Sequence, residues 1–113
     1  MSIEQPNKID SITIDAATAI CRLAIVDHLQ WDLPHLEALQ RKINYYLHWV
    51  ESGEIYLQHP HAVDCEVSID ITAMFEPDAA AIAFIAHATE LLDASGFRLT
   101  VSPLASHYAE ASI

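Results

Sequence analysis

An eleven-residue run, Cys65 to Phe75, leaves the chain little freedom. Cys65, Val67, Ile69, Ile71, Ala73 and Phe75 alternate with Glu66, Ser68, Asp70, Thr72 and Met74. Successive side chains of a strand point to opposite faces. Such a run therefore lies as a strand with one face on a core and the other toward water. Its apolar face demands a second layer of structure above it.

The flanking sequence supplies that layer and the rest of the sheet. Ile9–Asp15 reads as a first strand, with Ile12 and Ile14 on one face and Ser11, Thr13 and Asp15 on the other. Asp15-Ala16-Ala17-Thr18 is a turn without the Asn-Gly signal, and Ala19–Val26 is the returning strand of a hairpin. Cys21, Leu23 and Ile25 share its inner face, opposite Arg22. A first helix is expected from about Leu33 to Ser52, capped by Asp32 or Leu33, with Pro34 in its first turn and Gly53 ending it. Leu36, Leu39, Ile43, Leu47 and Val50 make its apolar stripe. Residues 54–64 read as a long connection. A second helix is expected to start at Pro77, beside Glu76 as cap, and to end at Gly96. Phe97, Leu99 and Val101 then face inward on a last strand that Pro103 stops.

The element order is β-β-α-β-α-β. Each strand has one polar face, so both helices are expected on one side. The fold class is α+β: a two-layer α/β sandwich with a mixed four-stranded sheet and two helices on one face, ferredoxin-like in architecture but not in strand order. The order of the strands in the sheet is left open. A single domain spans residues 1–113, with an ordered core over about 8–103, a lead-in over 1–7 and a tail over 104–113.

Charge removes whole classes of function. The chain of 113 residues carries 16 acids against 5 bases, a net charge of −11. The bases are Lys8, Arg22, Arg41, Lys42 and Arg98, and only Arg41 and Lys42 are adjacent. No basic stripe exists to meet phosphates, so neither nucleic acid nor an anionic membrane is an expected partner. Met1-Ser2-Ile3-Glu4-Gln5-Pro6 has no basic region and no apolar stretch, which speaks against a signal peptide. The longest apolar run, Ala79–Ala86, is far short of the ~20 residues a bilayer span needs. Cys21 and Cys65 are too few for a disulfide framework. A reduced, cytoplasmic protein is expected.

Several short motifs fall along this frame: Asn7-x-Ile9-Asp10, Trp31-Asp32, Lys42-Ile43-Asn44-x-Tyr46-Leu47, Glu51-Ser52-Gly53-Glu54, His59-Pro60 and Phe75-Glu76-Pro77. In order and spacing the chain resembles, over about residues 7–103, a family of small bacterial proteins known only as a domain of unknown function. The resemblance agrees with the element order and implies a bacterial cytosolic protein. It implies no activity and no catalytic residue.

Four constellations are candidates for function. His59, His61 and Cys65, with Asp64 beside them, are ligand types that zinc accepts, and an extended H-x-H can chelate. An incidental polar loop is the simpler account, because no second ligand pair completes the spacing. Asp27, His28 and Trp31, with Asp32, cluster at a strand-to-helix junction, where carboxylates can raise a histidine's pKa for acid–base work. With Tyr46 they would line a small-molecule pocket. Against this stand a helix cap, a core-edge tryptophan and a solvated histidine, with no nucleophile motif and no glycine-rich phosphate loop. No cofactor is expected. Third, the second helix is apolar over most of its circumference. Ala81, Ile85, Ala88 and Leu92 suffice for its sheet-facing stripe, which leaves Ile82, Phe84 and Leu91 toward the flanks, part of them against the first helix. Tyr45 and Trp49 lie off the first helix's stripe, one turn apart. Ile82, Phe84, Tyr45 and Trp49 are thus candidate interface residues, and a homodimer is expected. Fourth, the polar sheet face lacks the aromatics of an RNA-binding sheet and suits a hydrated surface. The expected function is a non-catalytic interaction or regulatory module, with self-association first and a basic protein as the other partner class.

Overall fold

The computed structural model describes Ile3, Gln5 and residues 8–109; Asn7 of the first motif lies outside the described residues. The alternating run forms the strand expected of it, and its place is central. Four strands, β1 (Ser11–Asp15), β2 (Ile20–Asp27), β3 (Glu66–Ala73) and β4 (Arg98–Pro103), lie in the order β1-β2-β3-β4. β1 pairs antiparallel with β2, whereas β2–β3 and β3–β4 are parallel. The sheet is therefore mixed, as expected from the element order. Each parallel step needs a crossover, and helices supply both.

Among the described residues there are three α-helices rather than two: α1 (Leu33–Glu51), α2 (Glu54–Gln58) and α3 (Ala79–Ala94). The segment expected as a plain connection holds α2 and a 3-10 turn at Pro60–Ala62. α2 forms because Ile55 finds burial in the core. α1 starts where its cap chemistry dictates: the Asp32 carboxylate accepts from the His35 amide at 2.9 Å, and Pro34 occupies the first turn. α3 starts two residues later than expected. Asp78, not Glu76, is its cap, accepting from the Ala81 amide at 2.9 Å. The chain's two glycines, Gly53 and Gly96, both take left-handed backbone just past a helix end, where a β-carbon would be strained.

The core lies between the helices and one face of the sheet. Leu23, Ile25, Ile69 and Ile71 meet Leu39, Ile43, Val50 and Leu92 there. Each such side chain contributes about 1.5–3 kcal/mol by leaving water. β3 is shorter than the alternation suggested. Cys65 precedes it, and Phe75 makes only an isolated bridge to Ala109. Two described residues near the ends are anchored. Ile3 is buried and its amide donates to the Val26 carbonyl at 3.0 Å, while the Ala109 amide donates to the Met74 carbonyl at 2.7 Å. Among the described residues no helix is long and apolar enough to cross a membrane.

Candidate functional site

The buried face of α1 is not the stripe its aliphatic residues suggested. Leu36 and Leu47 are half-buried, and His35, Leu39, Lys42, Ile43, Tyr46, Trp49 and Val50 face the core instead. The stripe is turned by about one residue because three polar side chains on it have partners waiting beneath the helix.

The first of these is His35. Its Nε2 meets Asp27 Oδ2 at 2.5 Å and its Nδ1 meets the Gln30 carbonyl at 2.9 Å. Both side chains of the pair are fully buried. The Trp31 ring stacks on the imidazole, centroids 4.1 Å apart and planes 17° from parallel. The indole N–H donates to the Phe75 carbonyl at 2.9 Å. Burial alone would lower the pKa of His35. The hydrogen bond and charge of Asp27, the Gln30 carbonyl and the charge of Asp32 together outweigh it, so His35 is held above the ordinary histidine range. Asp27 and Trp31, singled out from the sequence, thus belong to one cluster. Its partner is His35, which sequence reasoning passed over in favour of the half-buried His28. The missed signal was a histidine three residues after a capping aspartate, on the side of the helix that faces the sheet. The cluster is closed: the carboxylate and the imidazole offer no surface to a ligand.

Tyr46 does not line that cluster. Its hydroxyl donates to the Ala24 carbonyl at 2.6 Å and accepts from the Asp10 amide at 2.9 Å. Beside it the Lys42 ammonium donates to Asp10 Oδ1 at 2.7 Å, to the Gln5 carbonyl at 2.9 Å and to the Lys8 carbonyl at 3.0 Å. The second Asp10 oxygen accepts from the Val26 amide at 2.8 Å. Burial, reinforced by the charge of Asp10, pushes the Tyr46 phenol well up, so it stays protonated. This second cluster ties the amino-terminal segment, β2 and α1 into one joint.

The histidine loop is not drawn together as a metal site. The 3-10 turn at Pro60–Ala62 interrupts the extended backbone that an H-x-H chelate needs. His59 packs edge-on against Trp49, and the Cys65 thiol donates to the His61 carbonyl at 3.4 Å. Among the described residues no three or more His, Cys, Asp or Glu side chains are grouped to hold a metal ion. Cys21 is fully buried, and burial first, then the neighbouring Cys65, push its thiol up to about 11. It is a packed hydrophobe at neutral pH.

The proposed interface residues separate. Trp49 is buried in the chain's own core and Tyr45 is half-buried against it, so neither is a free surface aromatic. Ile82 is exposed. Phe84 is half-buried and lies in a groove of about 330 Å³ between α1 and α3. Ile43, Leu47, Phe84, Ala88, Leu91 and Leu92 give the groove its apolar surface; Gln40, Asn44, His87 and Ser95 rim it. The expected helix-to-helix contact is thus partly open, and no Asp, Glu, Lys or Arg lines the opening.

On the other face of the sheet, Asp70 accepts from Ser68 at 2.7 Å, from Thr100 at 2.8 Å and from Arg22 at 3.2 Å. Burial pushes its carboxyl up, but these three hydrogen bonds and the Arg22 charge prevail and hold it low. Arg98 pairs with Glu66 at 3.1 Å.

A family model described as a family of unknown function, DUF6572, matches residues 1–105. The chain belongs to the DUF6572 family. Searches of curated proteins and of solved structures found no match. Three of the motifs that suggested such a family contribute to the two clusters: Asp10, Lys42 and Tyr46 join in one, and Trp31, with the exposed cap residue Asp32 beside it, belongs to the other. For this DUF6572 chain they are the joints of the fold.

Proposed function

We propose that the chain is a non-catalytic interaction module that acts as a homodimer, with the α1–α3 groove as its contact face. One observation carries this reading: the groove is largely apolar and lined by no Asp or Glu in a chain of net charge −11. Two copies of so acidic a protein repel one another over most of their surfaces. A strip without acidic side chains is where they can meet while burying apolar area. Leu91 stands 59% exposed at the groove's edge, as an interface residue must before association. The closed state of Asp27 and His35 supports a role other than acid–base catalysis. The same negative charge favours a basic protein as any heterologous partner. We place the protein in the cytosol, because both cysteines are free.

Light scattering on the full chain tests the reading. A dimer is expected, and Leu91→Glu is expected to return it to a monomer. Ile82→Glu serves as the control. Ile82 lies nine residues, or 2.5 turns, from Leu91 and so projects from the opposite flank of α3. It should leave the dimer intact. A wild-type chain that stays monomeric at high concentration overturns the homodimer.

A further inference from the structure

The ring of His35 is placed between two oxygen atoms, and its proton count follows from that. The Gln30 carbonyl can only accept, so Nδ1, at 2.9 Å, carries a hydrogen. A neutral imidazole has just one N–H. The 2.5 Å contact between Nε2 and Asp27 Oδ2 therefore needs a second proton, held on the ring or on the carboxyl. Both side chains are 0% exposed, so no solvent hydrogen bond can replace it.

We propose that Asp27 and His35 share one buried proton as a pH-operated latch that fastens the β2–α1 turn, through Trp31, to the end of β3. Four contacts make it a fastening. Trp31 stacks on the imidazole and donates to the Phe75 carbonyl. The Asp27 backbone carbonyl accepts from the Met74 amide at 2.8 Å. The Asp27 carboxylate accepts from the Leu29 amide at 3.3 Å, which closes the turn.

Removing the proton opens the latch for a stereochemical reason. If Nδ1 keeps its hydrogen, the Nε2 lone pair faces a carboxylate. If Nε2 takes it, the Nδ1 lone pair faces the Gln30 carbonyl. Either tautomer turns one buried hydrogen bond into a repulsion and leaves a carboxylate buried without a cation. The charged groups acting on the ring are Asp27 from β2 and Asp32 from the cap of α1, both acidic. Trp31 and the Phe75 carbonyl add no ionisable group. His28, next to Asp27 and half-buried, is the other titratable side chain of the turn. With a folded-state pKa above the unfolded one, the contribution of the pair is complete below the unfolded value of about 6.5. It is lost as the pH rises through the folded value.

The test is a pH titration of the full chain, following the His35 ring nitrogens by NMR together with hydrogen exchange of the Trp31 indole. His35 is expected to titrate above the ordinary histidine range, with both nitrogens protonated on the acid side. Indole exchange should accelerate with the same midpoint. His28→Gln should leave both curves in place. Asp27→Asn is the decisive variant, because its amide can donate to the Nε2 of a neutral ring while Nδ1 still serves Gln30. It should fold and show no pH step in Trp31 exchange. An ordinary His35 midpoint, or Trp31 exchange that stays flat through the His35 titration in the wild type, overturns the latch. So does a pH step that persists in Asp27→Asn.

Discussion

The two faces of the sheet both carry ion pairs, and they use them differently. On the open face, Arg22 and Asp70 meet at 3.2 Å with the arginine side chain 49% exposed. Beneath α1, Lys42 and Asp10 meet at 2.7 Å with both side chains essentially buried. Water shares the load on the open face, so the pair's strength depends on salt and its loss is cushioned. Under the helix nothing can substitute for a missing partner. Asp10 and Lys42 bring a backbone amide and two carbonyls into the same knot. One contact type is thus trim on one side and a joint on the other.

The comparison breaks first if Lys42 proves dispensable. Lys42→Met keeps the volume of the stem but leaves the Asp10 carboxylate buried without a cation. A loss of about 3–5 kcal/mol is expected in denaturant unfolding at neutral pH. Lys42→Met with Asp10→Leu should cost less than the single change, because no charge is then stranded. Equal losses would show that the charge itself was never the problem.

A second, smaller effect sharpens it. Tyr46→Phe removes only the oxygen that bridges the Ala24 carbonyl and the Asp10 amide. The ring stays packed, so a loss of about 1–2 kcal/mol is expected, from two backbone groups left short of a partner. Thr100→Val on the open face also deletes a hydroxyl bonded to a carboxylate, and there the effect should stay within about 0.5 kcal/mol. Chemical denaturation of the two variants side by side checks the contrast.

These two faces also differ in how far the sequence reveals them. The open face is legible, because its polar residues fall on the alternate positions of β2, β3 and β4. Period two assigns Arg22, Ser68, Asp70 and Thr100 to one side without further knowledge. The joint is not legible by the same rule. His35 and Lys42 occupy core positions of α1, yet a hydrophobicity count sends such residues to solvent. It therefore draws the stripe through Leu36 and Leu47 instead. Asp10 likewise reads as part of the first strand, Ile9–Asp15, whereas it precedes β1 and its carboxylate is buried against Lys42. Its partner on α1 is 32 residues away, a distance no local pattern spans. Trp31 and Asp27 could be placed at a junction, but their histidine could not. The strand order was also beyond reach, since it depends on which crossover lies beside which.

The smallest expected effect tests the open face itself. Asp70 has a folded pKa below its unfolded value, because the hydrogen bonds of Ser68, Thr100 and Arg22 and the arginine charge overcome its partial burial. Its contribution is therefore present above the unfolded carboxylate range and is lost as the pH falls through the folded value. Arg22→Ala removes one of those bonds and the charge. The carboxyl should titrate at higher pH, and the acid limb of the stability curve should begin earlier, while neutral stability falls by under about 1 kcal/mol. Carbon-detected NMR of the Asp70 carboxyl gives the first and acid unfolding gives the second. Added salt should shrink the difference between Arg22→Ala and wild type, because half of the arginine is in water, and should leave the Lys42→Met loss nearly untouched. If salt erased both losses alike, burial would not be what separates the two faces.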